Sequence, residues 1–403
     1  MAIIQSIGQA LFMALSMLWE ILWPLILGFT LSGIIQAVVS HQTMAKALGG
    51  DSPKNLTLAT LFGIASSSCS YAAVALARSI FQKGASFTSA MAFELASTNL
   101  VIELGIILLV LMGWQFTAAE YFGGILMVIF IALIFRLTLT PRLIQMAKDQ
   151  AEKGLMGRME GHATMDMSVS GGTFWQKLLS GKGFTAVSHY FVMDWASVWV
   201  DIGLGLLIAG ALAAWVPESF WQAFFLSNNP TLAKIEGPLV GPLVAIVSFV
   251  CSVGNVPLAA VLWKGGISFG GVVSFIFADL IILPILDIYR KYYGWKVMGY
   301  ILATFYVTMA AAGYVVEWLF EALGIIPTNR NVVAITEGIQ WNYTTVLNII
   351  FLVLAAVLVI RFVRTGGTQM LKMMDSQEHD MSHHDPDRHD MSQHDMPHHE
   401  MTD

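Results

Sequence analysis

Charged side chains are scarce in this chain of 403 residues. Asp, Glu, Lys and Arg make up 12% of it, whereas 56% of the residues are hydrophobic. A soluble domain carries about 25% charged residues, so this chain cannot cover its surface with polar groups. The composition excludes soluble enzymes, nucleic-acid-binding proteins and disordered scaffolds. It predicts an all-α integral membrane protein whose main partner is the lipid bilayer.

Cysteine and the common catalytic motifs are nearly absent as well. The chain has only Cys69 and Cys251, both in apolar stretches, and they cannot build a disulfide framework. It has no G-x-x-x-x-G-K-[ST] phosphate loop, no D-K-T-G phosphorylation stretch and no H-E-x-x-H motif. We therefore expect no internal ATP motor, no zinc protease and no tightly bound cofactor. Any transport would be driven by an ion gradient or by a separate partner.

What the sequence does contain is nine apolar segments, each near the ~20 residues that a spanning helix needs. Polar residues interrupt two of them: SSSCS at 66–70 in the second, and Ser248 followed by CSVGNVP at 251–257 in the sixth. Backbone freed by such breaks must be buried in protein or face water. The segments are 11–39, 56–80, 86–112, 117–140, 190–216, 238–262, 268–290, 296–323 and 343–362.

The chain also repeats itself at an offset of 182 residues. This offset places Cys69 and Ser70 on Cys251 and Ser252, and it aligns Gly84 with Gly266. Internal repeats are typical of secondary transporters. We expect two membrane repeats with a cytoplasmic linker between them, then an extra loop with the last transmembrane helix, then a tail. The two repeats are 1–140 and 190–323, and the linker is 141–189. The extra loop with the last helix is 324–365, and the tail is 366–403.

The 21 basic residues decide between two topologies. They divide almost evenly if all nine segments cross the membrane. If the two broken segments are re-entrant, 18 lie on one side, and only Lys234, Lys264 and Arg330 lie on the other. The positive-inside rule favours the second arrangement. It has about seven spanning helices plus two broken re-entrant segments, an outside N-terminus and a cytoplasmic C-terminus. The two halves are then inverted repeats whose broken segments meet near the membrane midplane.

The polar breaks are the predicted substrate site. Thiolates bind soft ions such as copper(I) or zinc, and by the same logic trivalent arsenic. A free cysteine in a membrane helix can also pack as a small hydrophobe, but these two lie at equivalent positions inside polar breaks. The predicted substrate-binding residues are Ser68, Cys69, Ser70, Cys251, Ser252 and Asn255.

Acidic and amide side chains inside other apolar segments are candidates for a proton relay. A charge at mid-bilayer is costly, so such residues usually face a cavity or a partner; a protonated or paired structural carboxyl is the alternative. Asn99 and Glu103 are four residues apart and should share a helix face, and Arg78 is a candidate partner for Glu94. The predicted ion-coupling residues are Glu94, Asn99, Glu103 and Asp279.

The polar tail is rich in histidine and methionine, and we expect it to be disordered without metal. Imidazole and thioether groups together suit copper, and imidazole alone suits zinc or nickel. A low-complexity solvating tail is the alternative. A transition-metal ion at the tail would be held by ligands from His379, His383, His384, His389, His394, His398, His399, Met381, Met391 and Met396.

Three stretches carry a resemblance to a known family: SSSCSYAA at 66–73, FELASTN at 93–99 and CSVGNVPL at 251–258. They resemble the predicted permease family that includes the organoarsenical exporters, and the likeness covers about residues 11–322. The resemblance implies a bacterial inner-membrane efflux permease, often for metals or metalloids. Many relatives read Cys-Ser-Cys in the first broken segment, where this chain has Ser67-Ser68-Cys69.

Three hypotheses follow from the sequence. The first is a secondary efflux permease for a soft metal or metalloid: copper, zinc or an arsenical. The second is a permease for another small solute, in which the breaks supply backbone and hydroxyl groups rather than thiols. The third is a membrane-anchored metal buffer or sensor that acts through the tail. Deletion of 366–403 would abolish the activity of a buffer but leave some activity in a permease.

The topology can be tested with reporter fusions after residue 365. Because 18 of the 21 basic residues lie on the predicted inner side, a fluorescent-protein fusion there should be fluorescent and an alkaline phosphatase fusion inactive. A fusion after residue 330 should give the opposite result. An active phosphatase after residue 365 would contradict both the topology and the inverted repeat.

Overall fold

The computed structural model describes residues 2–38, 48–66, 70–151, 167, 169, 173–217, 220, 224–225, 229–248, 252–330, 341 and 343–369. Within these ranges every regular element is helical, which confirms the predicted all-α class. Ser68, Cys69, Cys251 and all predicted metal ligands of the tail lie outside the described residues.

The described residues of the first half of the chain form eight helices. They are α1 (Ala2–Val38), α2 (Pro53–Ser66), α3 (Ser70–Gln82), α4 (Phe87–Asn99), α5 (Ile102–Leu111), α6 (Trp114–Thr138), α7 (Pro141–Ala151) and α8 (Phe174–Leu178). The second half contains α9 (Gly181–Trp215), α10 (Pro230–Ile246), α11 (Ser252–Gly265), α12 (Phe269–Phe277) with a 3-10 turn (Ala278–Leu280), α13 (Leu283–Tyr293), α14 (Trp295–Ala322) and α15 (Tyr343–Arg364). Helix α9 begins inside the predicted linker.

The same order of helices occurs in both halves. Helix α3 begins at Ser70 and α11 at Ser252, which are 182 residues apart. The break between α4 and α5 follows Asn99, and the break between α12 and α13 lies at Ile281 and Ile282. Helices α1 and α9, which precede the two series, pack extensively against each other.

The turns before α4 and α12 show how the sequence produces this correspondence. Gly84 and Gly266 have φ values of 107° and 109°, a conformation that glycine adopts readily. Two residues later a serine caps each helix: Ser86 Oγ accepts from Ser89 N at 3.0 Å, and Ser268 Oγ accepts from Gly271 N at 3.1 Å. A left-handed glycine and a serine N-cap therefore start the equivalent helix in each half.

Five of the described helical stretches are long and apolar enough to cross a membrane. A sixth is the pair Phe269–Leu280 and Leu283–Tyr293, bent by 40°. In the segment predicted at 190–216, the apolar part is the shorter stretch Ile202–Trp215. The chain is thus a multi-pass membrane protein, and the number of seven spans stays a prediction. The five stretches are Gln5–Val38, Phe87–Leu111, Trp114–Thr138, Trp295–Ala322 and Tyr343–Arg364.

Helices α3 and α11 end at opposite ends of the molecule. Helices α6 and α14 run antiparallel, since Thr138 at the end of α6 hydrogen-bonds Tyr300 near the start of α14 at 2.8 Å. The last turns of α3 lie at this end, where Arg78 Nη2 donates to the carbonyl of Ala151 at 2.8 Å. The last turn of α11 lies beyond the other end of α14, where Arg330 Nη1 donates to Trp263 O at 2.8 Å.

Glycine allows α2 and α10 to approach α4 and α12 closely. A Cβ atom on Gly63 would lie 2.5 Å from the carbonyl oxygen of Phe93, and one on Gly241 would meet the carbonyl oxygen of Gly271. Such contacts between backbones are typical of membrane helices that pack through small residues. They fix the position of α2 and α10, the helices that precede the two polar breaks.

Adding one methyl group at these contacts should destabilise the protein. Gly63→Ala and Gly241→Ala should each lower the unfolding temperature in detergent, because overpacking costs about 1–3 kcal/mol. Gly299→Ala is the matched control, since a Cβ there meets nothing within 4 Å and alanine is the better helix former. Equal unfolding temperatures in the three variants would contradict the close approach.

Candidate functional site

The two repeat-equivalent serines meet in the core. Ser70 and Ser252 are the first residues of α3 and α11, and their Oγ atoms are 3.0 Å apart. The backbone N–H of Ser252 also donates to Ser70 Oγ at 3.5 Å. Both side chains are buried. The beginnings of two helices whose far ends lie at opposite ends of the molecule are therefore in direct contact.

Asp279 holds this contact together. Its Oδ2 accepts hydrogen bonds from Ser70 Oγ and Ser252 Oγ, each at 2.6 Å, and the backbone N–H groups of Asp279 and Leu280 also interact with the carboxylate. The side chain is completely buried. Helix N-termini carry partial positive charge and favour a carboxylate nearby. The N-terminal ends of α3 and α11 both meet this one carboxylate.

Asn255 lies in the first turn of α11 and is also completely buried. Its Oδ1 accepts a hydrogen bond from Ser248 Oγ at 3.4 Å. Its Nδ2 has no partner in the part of the chain that the structure describes. Of the predicted substrate-binding residues, Ser70, Ser252 and Asn255 are thus placed at the start of α3 or α11.

Glu94 is bound by a residue of the other half. Tyr289 on α13 donates a short hydrogen bond to Glu94 Oε1, while Oε2 has no partner among the described residues. Arg78, the partner considered from the sequence, instead donates to Ala151 O, and its guanidinium lies 4.4 Å from the ring centroid of Tyr292. The actual partner could not be predicted, because Glu94 and Tyr289 are 195 residues apart.

The expectation that Asn99 and Glu103 share a helix face is wrong. Helix α4 ends at Asn99, Val101 is extended with φ −97° and ψ 149°, and α5 begins at Ile102. Asn99 Nδ2 donates to the carbonyl of Leu95 at 3.2 Å, so its side chain competes with the backbone for acceptors near the end of α4. Asn99 Oδ1 remains without a partner among the described residues.

Glu103 lies at a different contact. It is buried where α5 approaches α1, and a Cβ atom on Gly28 would overlap its side chain. The break after Asn99 therefore separates two residues that an uninterrupted helix would have placed one turn apart. The carboxylates of Glu94, in the first half, and Asp279, in the second half, in contrast repel each other electrostatically.

Glu120 was missed by the sequence interpretation. It is completely buried in α6, neither carboxyl oxygen has a hydrogen-bond partner among the described residues, and it interacts electrostatically with Asp279. One turn further, Gly123 packs on Phe277 and Gly124 on Leu100, beside the breaks after α12 and α4. The available indication was an acidic residue within the apolar segment 117–140.

Aromatic rings enclose this polar centre at both ends. Helix α3 leads from Ser70 to Phe81, a rise of about 17 Å, and there Phe81 and Tyr293 pack against Phe87 at centroid distances of 5.4 and 5.7 Å. Helix α11 leads in the other direction from Ser252 to Trp263, which packs with Phe116 and Phe269. The described centre therefore lies between two aromatic clusters.

The described side chains of this centre are oxygen-rich. Within the described ranges, no three His, Cys, Asp or Glu side chains are close enough to hold a metal ion together. The groups present can hydrogen-bond a polar solute, and the buried carboxyls of Glu94, Glu120 and Asp279 can exchange protons. Any thiol ligand would have to come from Cys69 and Cys251, which lie outside these ranges.

Comparison with known proteins identifies the family of the chain. The family model ArsP_1, described as a predicted permease, matches residues 6–318. The chain belongs to this permease family. Over 338 residues it is 61% identical to a Mycobacterium tuberculosis protein named "Putative permease Rv2963", covering 84% of this chain and 83% of that protein. No solved structure matches the chain. Membership confirms the resemblance seen in the sequence and favours a transporter rather than an enzyme.

The hydrogen bonds from Ser70 and Ser252 to Asp279 predict a measurable coupling in this permease. Removing either hydroxyl leaves a buried carboxylate with one donor fewer, which costs about 1.5–3 kcal/mol. Ser70→Ala and Ser252→Ala should each lower the unfolding temperature, and a double-mutant cycle should give a coupling free energy of about 0.5–3 kcal/mol.

Ser188→Ala is the control for this cycle, because Ser188 is equally buried but bonds only to the carbonyl of Thr185 in its own helix. When Ser188→Ala is combined with Ser70→Ala or with Ser252→Ala, the changes in the free energy of unfolding should be additive. Strict additivity of Ser70→Ala and Ser252→Ala would argue against a shared carboxylate.

Proposed function

We propose that this permease is a secondary transporter that exports a soft metal or metalloid, such as copper, zinc or an arsenical, across the bacterial inner membrane. The observation that carries the proposal is the convergence of Ser70 and Ser252 on Asp279. Cys69 and Cys251 directly precede these two serines in the chain, and thiolates are suitable ligands for soft ions. The substrate site would combine the two thiols with the hydroxyls and the carboxylate.

The proposal includes inverted repeats and a cytoplasmic C-terminus. Three observations support the inversion: the recurring order of helices, the contact between the first residues of α3 and α11, and the opposite positions of their last turns. In known transporters, discontinuous helices of inverted repeats meet at a central binding site. The distribution of basic residues supports the orientation.

Coupling to protons is part of the same proposal. Glu94 and Glu120 are completely buried, and each interacts electrostatically with Asp279. A buried carboxylate without a counter-charge is unfavourable, so these groups gain or lose protons as their surroundings change. Glu94, Glu120 and Asp279 would carry the coupling, with Asn99 at the break of α4. Glu103, the fourth predicted coupling residue, lies at the contact with α1.

A second candidate function is transport of another small polar solute. It is favoured by the hydroxyl and carboxylate groups that the described centre contains. The thiols would then be dispensable, which separates the two candidates. The third hypothesis, a metal buffer that acts through the tail, concerns residues beyond the family match at 6–318.

A resistance assay in an efflux-deficient bacterial host tests these candidates with a panel of metals and metalloids. The wild-type chain should raise resistance to at least one soft ion, and Cys69→Ser combined with Cys251→Ser should abolish it, because serine keeps the size but loses the soft ligand. Deletion of 366–403 should leave most of the resistance intact.

Two outcomes would redirect the assignment. Full resistance in the double cysteine variant would rule out the thiol site and favour the second candidate. Loss of resistance from the tail deletion alone, with normal protein in the membrane, would favour the buffer. Expression is followed by immunoblot of membrane fractions for every variant.

A further inference from the structure

A cavity lies away from the contact between Ser70 and Ser252, at the end of the molecule where α11 and α14 finish. It has a volume of about 470 Å³ and is lined by residues from the beginnings of α10 and α12, the ends of α11 and α14, and the segment 326–330. A cavity of this size can hold a small molecule. The aromatic rings of Trp263 and Phe269 form part of its wall.

Lys234, Lys264 and Arg330 all line this cavity. They are the three basic residues that the charge distribution places opposite the other 18. Two carboxylates, Glu317 and Glu321, also line it. Three cations against two carboxylates leave one excess positive charge inside a partly enclosed space.

The contacts show where the excess charge lies. Lys234 forms an ion pair with Glu321. Glu317 accepts a short hydrogen bond from the backbone N–H of Gly270 and interacts electrostatically with Arg330. No ion pair joins Lys264 to any residue that the structure describes. The ammonium group of Lys264 is therefore available to a ligand.

Arg330 is held in a fixed position. Its Nη1 donates to Trp263 O at 2.8 Å and to Ile267 O at 2.9 Å, and its guanidinium lies 4.1 Å from the ring centroid of Trp263. A guanidinium has five N–H donors, so three are left. Burial lowers the pKa of Arg330 and Glu317 opposes this shift, but the guanidinium stays protonated because arginine is not deprotonated in proteins.

The repeated architecture does not by itself produce this cavity. The offset of 182 residues places Phe135 opposite Glu317 and Gln82 opposite Lys264. In the first half Phe135 stacks on Phe87 with a centroid distance of 5.7 Å, and Gln82 donates to the carbonyl of Ala151. An aromatic ring and a neutral amide thus occupy the positions that carry charge in the second half.

We propose that this cavity is a binding site for a phosphate-class oxyanion, with Lys264 and Arg330 as the residues that bind it. Arginine presents a planar set of donors that matches the oxygens of such an anion, and lysine adds a point charge. The oxyanion could be a free ion or the phosphate of an anionic lipid at the membrane surface. The site lies apart from the contact between Ser70 and Ser252, and it does not depend on the identity of the transported substrate.

The test uses the full-length chain in nanodiscs of neutral phosphatidylcholine. Inorganic phosphate is titrated at constant ionic strength against chloride, and the unfolding temperature is measured. Saturable stabilisation is expected for the wild type, and Lys264→Gln should raise the apparent dissociation constant for phosphate at least tenfold. Lys291→Gln is the control: it removes the same charge at a residue paired with Asp287 and should bind phosphate like the wild type.

A second set of nanodiscs, containing anionic phosphatidylglycerol, separates the two sources. Saturable binding of free phosphate in neutral lipid supports a soluble oxyanion. Stabilisation by phosphatidylglycerol alone, lost in Lys264→Gln but kept in Lys291→Gln, supports a lipid phosphate. The proposal is overturned if neither anion stabilises the wild type, or if Lys264→Gln and Lys291→Gln respond alike. Neither result bears on metal export.

Discussion

The hydrogen bonds that Asp279 accepts from Ser70 and Ser252 are the interaction on which the rest of the structure depends. A buried carboxylate needs compensation, and here two hydroxyls and two helix N-termini provide it. Since α3 belongs to the first half and α11 to the second, neither half can provide this environment alone. The glycine contacts of α2 with α4 and of α10 with α12 help to place the first residues of α3 and α11 beside the same carboxylate.

Helix breaks in the core place polar side chains around the same carboxylate. Helix α4 ends at Asn99, and the 3-10 turn that carries Asp279 follows α12. Such endings leave polar groups at membrane depth, which is tolerated only inside protein or at a water-filled cavity. Glu120 on α6 faces this region without a hydrogen-bond partner among the described residues. Several buried polar atoms without a hydrogen-bond partner among the described residues, on Glu94, Asn99 and Glu120, thus lie on the helices around this centre.

Much of this arrangement follows from local sequence patterns. The offset of 182 residues already aligns Ser70 with Ser252 and Gly84 with Gly266, and both pairs have matching roles in the structure. The pairing of Glu94 with Tyr289 could not be predicted, because nothing near either residue indicates a partner 195 positions away. The break after Asn99 was also missed, since the apolar run continues through it and hides the side-chain competition that ends α4. The sequence shows an acidic residue at Glu120 within an apolar segment, but nothing in the sequence indicates that this side chain is completely buried.

The shared carboxylate has a consequence for how a transported ion would be bound. Both serine hydroxyls donate their proton to Asp279, which leaves the lone pairs of their oxygen atoms able to contact a ligand. A cation held by these oxygen atoms would also interact with the carboxylate of Asp279. Because the far ends of α3 and α11 lie at different aromatic clusters, the carboxylate of Asp279 connects two helices that lead to opposite ends of the molecule.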